Sequence, residues 1–281
     1  MISNKFSAQL REVLRNDDIE FLQHIVSRFP ETKMLAGPAE SSPEGNQELQ
    51  DTAIAYPVFD ETCPVHHTAI EADRTFMGLI LLKAVLNEDH SKFPNLSDDD
   101  WHALQKLTND IIADDEDLEL VLYTLAAHDL GKTQELVDAY NAQFGEKAED
   151  HDKLLNGLTR SKPEKFPGYL GLSEANQNAY LSGLAGDLNV FQFIQGENLP
   201  CNLTTMMQTD AHGRNIRLLT ELYDFAGVTG HIHPDKSIVM TDENFTAFQA
   251  ALSALDASDS AEAYTSYLAH RGRLAGFGLE T

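Results

Sequence analysis

Residues 118–132 read LELVLYTLAAHDLGK, and the reading of this stretch decides the fold. An almost wholly apolar run ends in an imidazole and a carboxylate, His128 and Asp129, with Gly131 and Lys132 just beyond. Charged and imidazole groups at a core boundary require partners, and one divalent cation would satisfy both. Gly131 is expected to end the helix in the left-handed conformation, which leaves Lys132 as a cation past its end. The competing account is a capping or hydrogen-bonded pair. A second His-Asp dipeptide, His151-Asp152, shows that the pairing alone says little.

The company around His128 carries more weight. Upstream, VHHTAIEADRTFMGLILLKAVL (65–86) returns its apolar residues at helical spacing and opens with His66 and His67. Downstream, His151 starts another helical stretch, and Asp210 lies in LTTMMQTDAHGRNIRLLTELYDFAG (203–227). The order is therefore His, His-Asp, His, Asp, each on a separate expected helix.

That order, with LAAHDLGK at its centre, resembles the HD-domain superfamily of metal-dependent phosphohydrolases over about residues 60–225. The resemblance implies one metal held by the first His, by His128 with Asp129, and by a late Asp, read here as Asp210. The first ligand is His66 or His67. His66 shares a helical face with Ile70, Asp73 and Met77, whereas His67 lines up with Glu71 and Arg74. Leu203, Met206, Met207 and Asp210 share one face of a single helix over 202–226, continued by Arg214, Arg217 and Leu218. An acid on such a stripe needs a reason, either metal or an ion pair to Arg214 one turn on. His151, 23 residues beyond His128, would be the ligand for a second ion where the family holds two. Two-metal members carry a further His before the last Asp, and no histidine occurs between Asp152 and Thr209. Asp187 or Glu197 would have to substitute.

The ligand chemistry suits Mn²⁺, Fe²⁺, Co²⁺ or Zn²⁺ better than Ca²⁺, as one or two ions. A bound ion lowers the pKa of its water and shields phosphate charge. Asp129 or Glu71 would orient that water, and Lys132 and Arg74 would pair with the phosphate oxygens of a small anionic substrate. The function implied is hydrolysis of a small phosphate ester such as a nucleotide. The alternatives are an HD-type iron oxygenase cleaving a small polar substrate, and a regulatory protein with a decayed site.

The expected fold class is all-α: an HD-domain-like helical bundle with N-terminal and C-terminal helical extensions, forming one domain over 1–281. Helical patterns cover 5–29, 65–87, 98–114, 116–130, 132–143, 150–158, 173–186, 202–226, 242–256 and 260–270. Residues 30–62, rich in Pro, Ser, Gly and acid, read as an irregular loop, as does 159–172. Residues 226–281 form the C-terminal extension, and Ser237–Met240 is the best strand signal. The segment 187–202 reads as a connection whose amides cap helix ends. Gly230-His231-Ile232-His233 reads as a surface turn, with His-x-His zinc chelation as the rival.

A net charge of −25, from 20 basic and 45 acidic side chains, opposes nucleic-acid backbones and anionic membranes. Two cysteines, Cys63 and Cys201, indicate no disulfide framework. Cys63 lies three residues before His66, a CxxH pattern without a second pair. The N-terminal MISNKFSAQLREVLRNDD has no signal-peptide core, and no apolar run approaches the roughly 20 residues that span a bilayer. The chain is expected to be cytoplasmic, without nucleic-acid or membrane partners. Assembly into a homo-oligomer is left open.

Overall fold

Short polar residues start eight of the helices, and six of these go on to an acidic first turn. Ser7, Asp17, Ser97, Asp114, Asp150, Ser173, Asp210 and Thr241 each accept a hydrogen bond from a backbone N–H one turn ahead. Each thereby satisfies a donor that the first helical turn leaves unpaired. The computed structural model describes residues 5–38, 56–59, 70–186, 188–195, 200–257 and 259–274, side chains at 200–202, 270 and 272–274 excepted. Among these residues every regular element is helical and no strand occurs. The fold is all-α.

In chain order the helices are α1 (Ala8–Arg15), α2 (Asp18–Arg28), α3 (Ile70–Leu86), α4 (Asp98–Ile111), α5 (Asp115–Ala127), α6 (Gln134–Phe144) and α7 (His151–Ser161). There follow α8 (Pro167–Leu170), α9 (Glu174–Leu184), α10 (Val190–Gln195), α11 (Pro200–Gln208), α12 (Ala211–Gly227), α13 (Asp242–Leu255) and α14 (Ser260–Leu274). Short 3-10 turns lie at Pro30–Ala36, His90–Lys92, Leu130–Lys132 and Pro163–Lys165.

Helix α12 is the central post, packed along α3, α5 and α9. Helix α3 is buried on nearly every face, with only Ile70 and Arg74 outside its buried set, as expected of a helix that is apolar all round. The two helices meet through glycines. A Cβ on Gly78 would lie 2.9 Å from the Tyr223 carbonyl oxygen, and one on Gly227 would lie 2.6 Å from the Gly78 nitrogen. Their directions oppose, because Asp73 meets Gly230 while Gly78 meets Tyr223. The start of α3 thus faces the end of α12, and the end of α5 arrives beside both.

Several expectations are revised. The single helix read over 5–29 breaks at Asn16, where Asp17 caps a second helix. The loop read over 30–62 begins as a 3-10 turn that buries Glu31, Thr32, Leu35 and Ala36. Glu31 accepts hydrogen bonds from the backbone N–H groups of Gly168 and Tyr169, which ties that turn to α8, inside the expected 159–172 loop. Val190–Gln195, read as connection, is helical because Asn189 accepts from Phe191 and Gln192 at its start. Ser237–Met240 is not a strand; the Ser237 hydroxyl donates to the Ala226 carbonyl and so ties the segment to the end of α12. The helix read over 202–226 is two, α11 and α12, split at Thr209-Asp210. Among the described residues no helix is long and apolar enough to cross a membrane.

Candidate metal centre

Helix α5 ends at Ala127, so His128 and Asp129 sit on the turn that leaves it. The His128 ring is buried, and its Nδ1 lies 2.6 Å from the Leu125 carbonyl oxygen. A carbonyl only accepts, so Nδ1 carries a hydrogen, which leaves Nε2 as the nitrogen that could ligate a metal once it gives up its proton. That Nε2 lies 2.9 Å from Asp224 Oδ1 and 3.4 Å from Asp129 Oδ2. Ligand atoms of His128, Asp129 and Asp224 all fall within 4.8 Å of one another. Among the described residues no other such group of three is found.

His128 and Asp129 are ion-paired, to Asp224 at 2.9 Å and to Lys132 at 2.5 Å, but the contacts are not aligned as hydrogen bonds. His128 Nε2 and both Asp129 oxygens are buried yet make no well-aligned hydrogen bond. Burial disfavours a charged His128, but Asp129 and Asp224 outweigh it and hold its pKa up at about 9. Burial likewise opposes the Asp129 carboxylate, yet His128 and Lys132 pull it far below its usual range. One imidazole and two carboxylates facing a common point are a donor set that fits a divalent transition metal.

Lys132 and Glu71 extend the cluster. Lys132 Nζ lies 2.5 Å from Asp129 Oδ1 and 3.3 Å from Glu71 Oε2. Arg74 Nη1 donates to Glu71 Oε1 at 3.2 Å. One carboxylate therefore serves two cations. Burial and then the Asp129 carboxylate push Glu71 up to about 7, against the pull of Lys132 and Arg74. The Lys132 ammonium is held charged by Asp129, Glu71 and Asp224 despite its burial.

Gly131 is present for a different reason from the expected one. Among the described glycines only Gly145 has positive φ. At Gly131 a Cβ would lie 2.4 Å from the His151 carbonyl oxygen. The glycine therefore permits contact between the turn and the start of α7. His151 stands beside the centre without joining it. Its ring lies 3.7 Å from Asp152 Oδ1, and its charge favours the Asp129 carboxylate. Asp152 is taken by Arg217, whose Nη1 and Nη2 donate to its two oxygens at 3.1 and 2.6 Å. The next acid on α12, Glu221, accepts from Arg217 Nε at 2.8 Å. Of the acids beside His151, Asp152 is thus paired with a guanidinium, while Glu149 and Asp150 pair with Lys153.

Asp210 is not with the cluster. Its Oδ2 accepts from the Gly213 N–H at 2.9 Å and its N–H donates to Ser182 Oγ at 3.1 Å, so it caps the start of α12. Asp224 lies 14 residues further along, roughly 21 Å at the helical rise. The structure brings together His128 and Asp129, places Glu71, Arg74 and Lys132 next to them, and substitutes Asp224 for Asp210. Sequence reasoning missed Asp224, although Arg217, Glu221 and Asp224 recur at i, i+4 and i+7 as a charged stripe on an apolar helix. His66, His67, Asp187 and Glu197 lie outside the described residues.

A cleft of about 370 Å³ touches the centre's surroundings at Gly131 and Lys132 and is lined beyond them by Lys147, Glu149, Asp150 and His151 among others; His128, Asp129, Asp224 and Glu71 do not line it. No curated protein and no solved structure matches the chain significantly. The profile described as "Family of unknown function (DUF6829)" matches residues 44–276, and the chain belongs to that family.

Proposed function

We propose that the protein is a metal-dependent phosphohydrolase acting on a small phosphate ester, with one divalent transition-metal ion held by His128, Asp129 and Asp224. The observation that carries this reading is the convergence of three ligand residues whose buried atoms, His128 Nε2 and both Asp129 oxygens, are otherwise left without aligned partners. The order of a first His (His66 or His67), His128-Asp129 and a late Asp also resembles that of the HD-domain superfamily, with Asp224 in the place expected of Asp210. His66 or His67, on the segment just before α3, is the fourth ligand in this reading.

When bound, the ion would acidify a water and shield phosphate charge. The chain's own residues do the rest. Asp129 and Asp224 supply the negative charge that draws a cation to this point. Leu125 fixes the His128 tautomer through its carbonyl. Glu71, held near neutrality by burial, suits a group that orients the attacking water and accepts its proton, because a base works best with a pKa near the operating pH. Lys132, charged and at the edge of the cleft, would pair with a phosphate oxygen. The cleft's volume, about 370 Å³, falls in the range that holds a small metabolite.

The test is hydrolysis by the purified full chain, loaded with Mn²⁺, Co²⁺ or Zn²⁺, of a panel of nucleotides and other phosphate monoesters. Release of inorganic phosphate that chelation stops, metal restores and Asp129→Ala abolishes supports the reading. Failure of every metal-loaded form to cleave any ester of the panel overturns it.

A further inference from the structure

The segment after α12 turns back over the start of α3. A Cβ on Gly230 would lie 2.5 Å from both the Asp73 carbonyl oxygen and Met77 Cβ, and one on Gly227 would lie 2.7 Å from the Arg74 carbonyl oxygen. The Tyr56 hydroxyl donates to the Pro234 carbonyl at 2.6 Å and fastens the far side of this loop. His231, expected on a surface turn, is instead 7% exposed, while His233 remains exposed.

The loop delivers an unmatched set of donors to α3. His231 Nδ1 and Arg74 Nε are both buried and both lack a hydrogen-bond partner. The charges acting on the His231 ring are Arg74 and His233, both of cationic type, and together with burial they disfavour its protonation. Arg74 shares its one carboxylate, Glu71, with Lys132. The missing partner is an anionic oxygen. One oxyanion accepting from Arg74 Nε and from an Nδ1–H of His231 would satisfy two buried orphan atoms.

We propose that Arg74 and His231, with His233 at the rim, form a second oxyanion subsite, so that the substrate carries an anionic phosphoryl group besides the one met by Lys132. The subsite rests on the hydrolase reading for its role but not for its existence. Arg74 joins it to the metal centre through Glu71, which contacts Lys132, which contacts Asp129. Inorganic phosphate is the free form of the same chemistry and serves as the probe.

Phosphate binding is measured by calorimetry on the full chain, zinc-loaded and after chelation, and by proton NMR of the histidine rings. Phosphate is expected to bind in both states and to move the His231 ring signals, identified by their loss in His231→Gln. Arg74→Met and His231→Phe should each weaken binding at the subsite about tenfold or more, the scale of a lost charge-assisted hydrogen bond. A pyrophosphate or nucleoside diphosphate that binds more tightly than a monoester, with the advantage lost in both variants, would place the second group on the substrate. His231 signals unmoved at saturating phosphate overturn the subsite even if a variant fails to fold. So does unchanged phosphate affinity in both variants. Hydrolysis without His231 response sinks the subsite alone, whereas His231 response without hydrolysis of any ester sinks the enzymatic reading alone.

Discussion

Replacing Asp210 separates the two candidate late aspartates. In the structure Asp210 is a helix cap whose only described side-chain bond runs to the Gly213 N–H at 2.9 Å. Losing an N-cap of this kind costs about 1 kcal/mol. For a chain of 281 residues that corresponds to a fall in Tm of roughly 2 °C. Asp210→Asn should cost far less, since Asn caps as well as Asp. Neither change should touch metal content, because the site lies at the other end of α12. The assay is thermal unfolding by circular dichroism alongside elemental analysis of the same preparations. A folded Asp210→Ala that has lost its metal would refute the assignment of the ligand to Asp224. An Asp210→Asn protein as destabilised as Asp210→Ala would refute the cap.

Three further outcomes are expected. Gly131→Ala must move a Cβ that would start 2.4 Å from the His151 carbonyl oxygen, at a cost of about 1–3 kcal/mol; unfolding midpoints should fall accordingly, and an unchanged Tm would show that the turn and α7 do not touch. His151→Ala should leave the metal-to-protein ratio unchanged, since Asp152 is occupied by Arg217 and Glu149 and Asp150 by Lys153; a halved ratio would restore the second ion. Lys132→Ala should raise KM for the hydrolysed ester more than it lowers kcat, with metal retained, because its cation meets phosphate in ground and transition states alike. A collapse of kcat at constant KM would make Lys132 a transition-state group.

The helical class was legible in the sequence, because the apolar returns in 70–86 and 115–127 are long and the caps at Ser97, Asp114 and Asp150 are local signals. So was the His128-Asp129 end of α5, since a polar pair that closes an apolar run sits at the core boundary and must find partners there. Asp210 was misread because the pattern over 203–218 keeps helical spacing across Thr209-Asp210, where the chain in fact restarts; the capping role follows from the backbone, to which periodicity is blind. Asp224 was hidden by the opposite effect. Its neighbours Leu222, Tyr223 and Ala226 are buried, so it reads as an ordinary polar position until α5 is placed beside it. Gly131 was assigned a conformational role when its role is close contact with the backbone of His151, twenty residues away. The burial of His231 depends on the loop folding back over Asp73, a long-range contact that no local pattern encodes.

The most direct test of the metal centre is elemental analysis of the purified wild type, Asp224→Ala and His128→Ala. The wild type, after exposure to divalent transition metals and removal of excess, should retain one ion per chain. Both variants should retain none while keeping the helical circular-dichroism signal. Full occupancy in Asp224→Ala, or a folded wild type that holds no ion, would contradict the account.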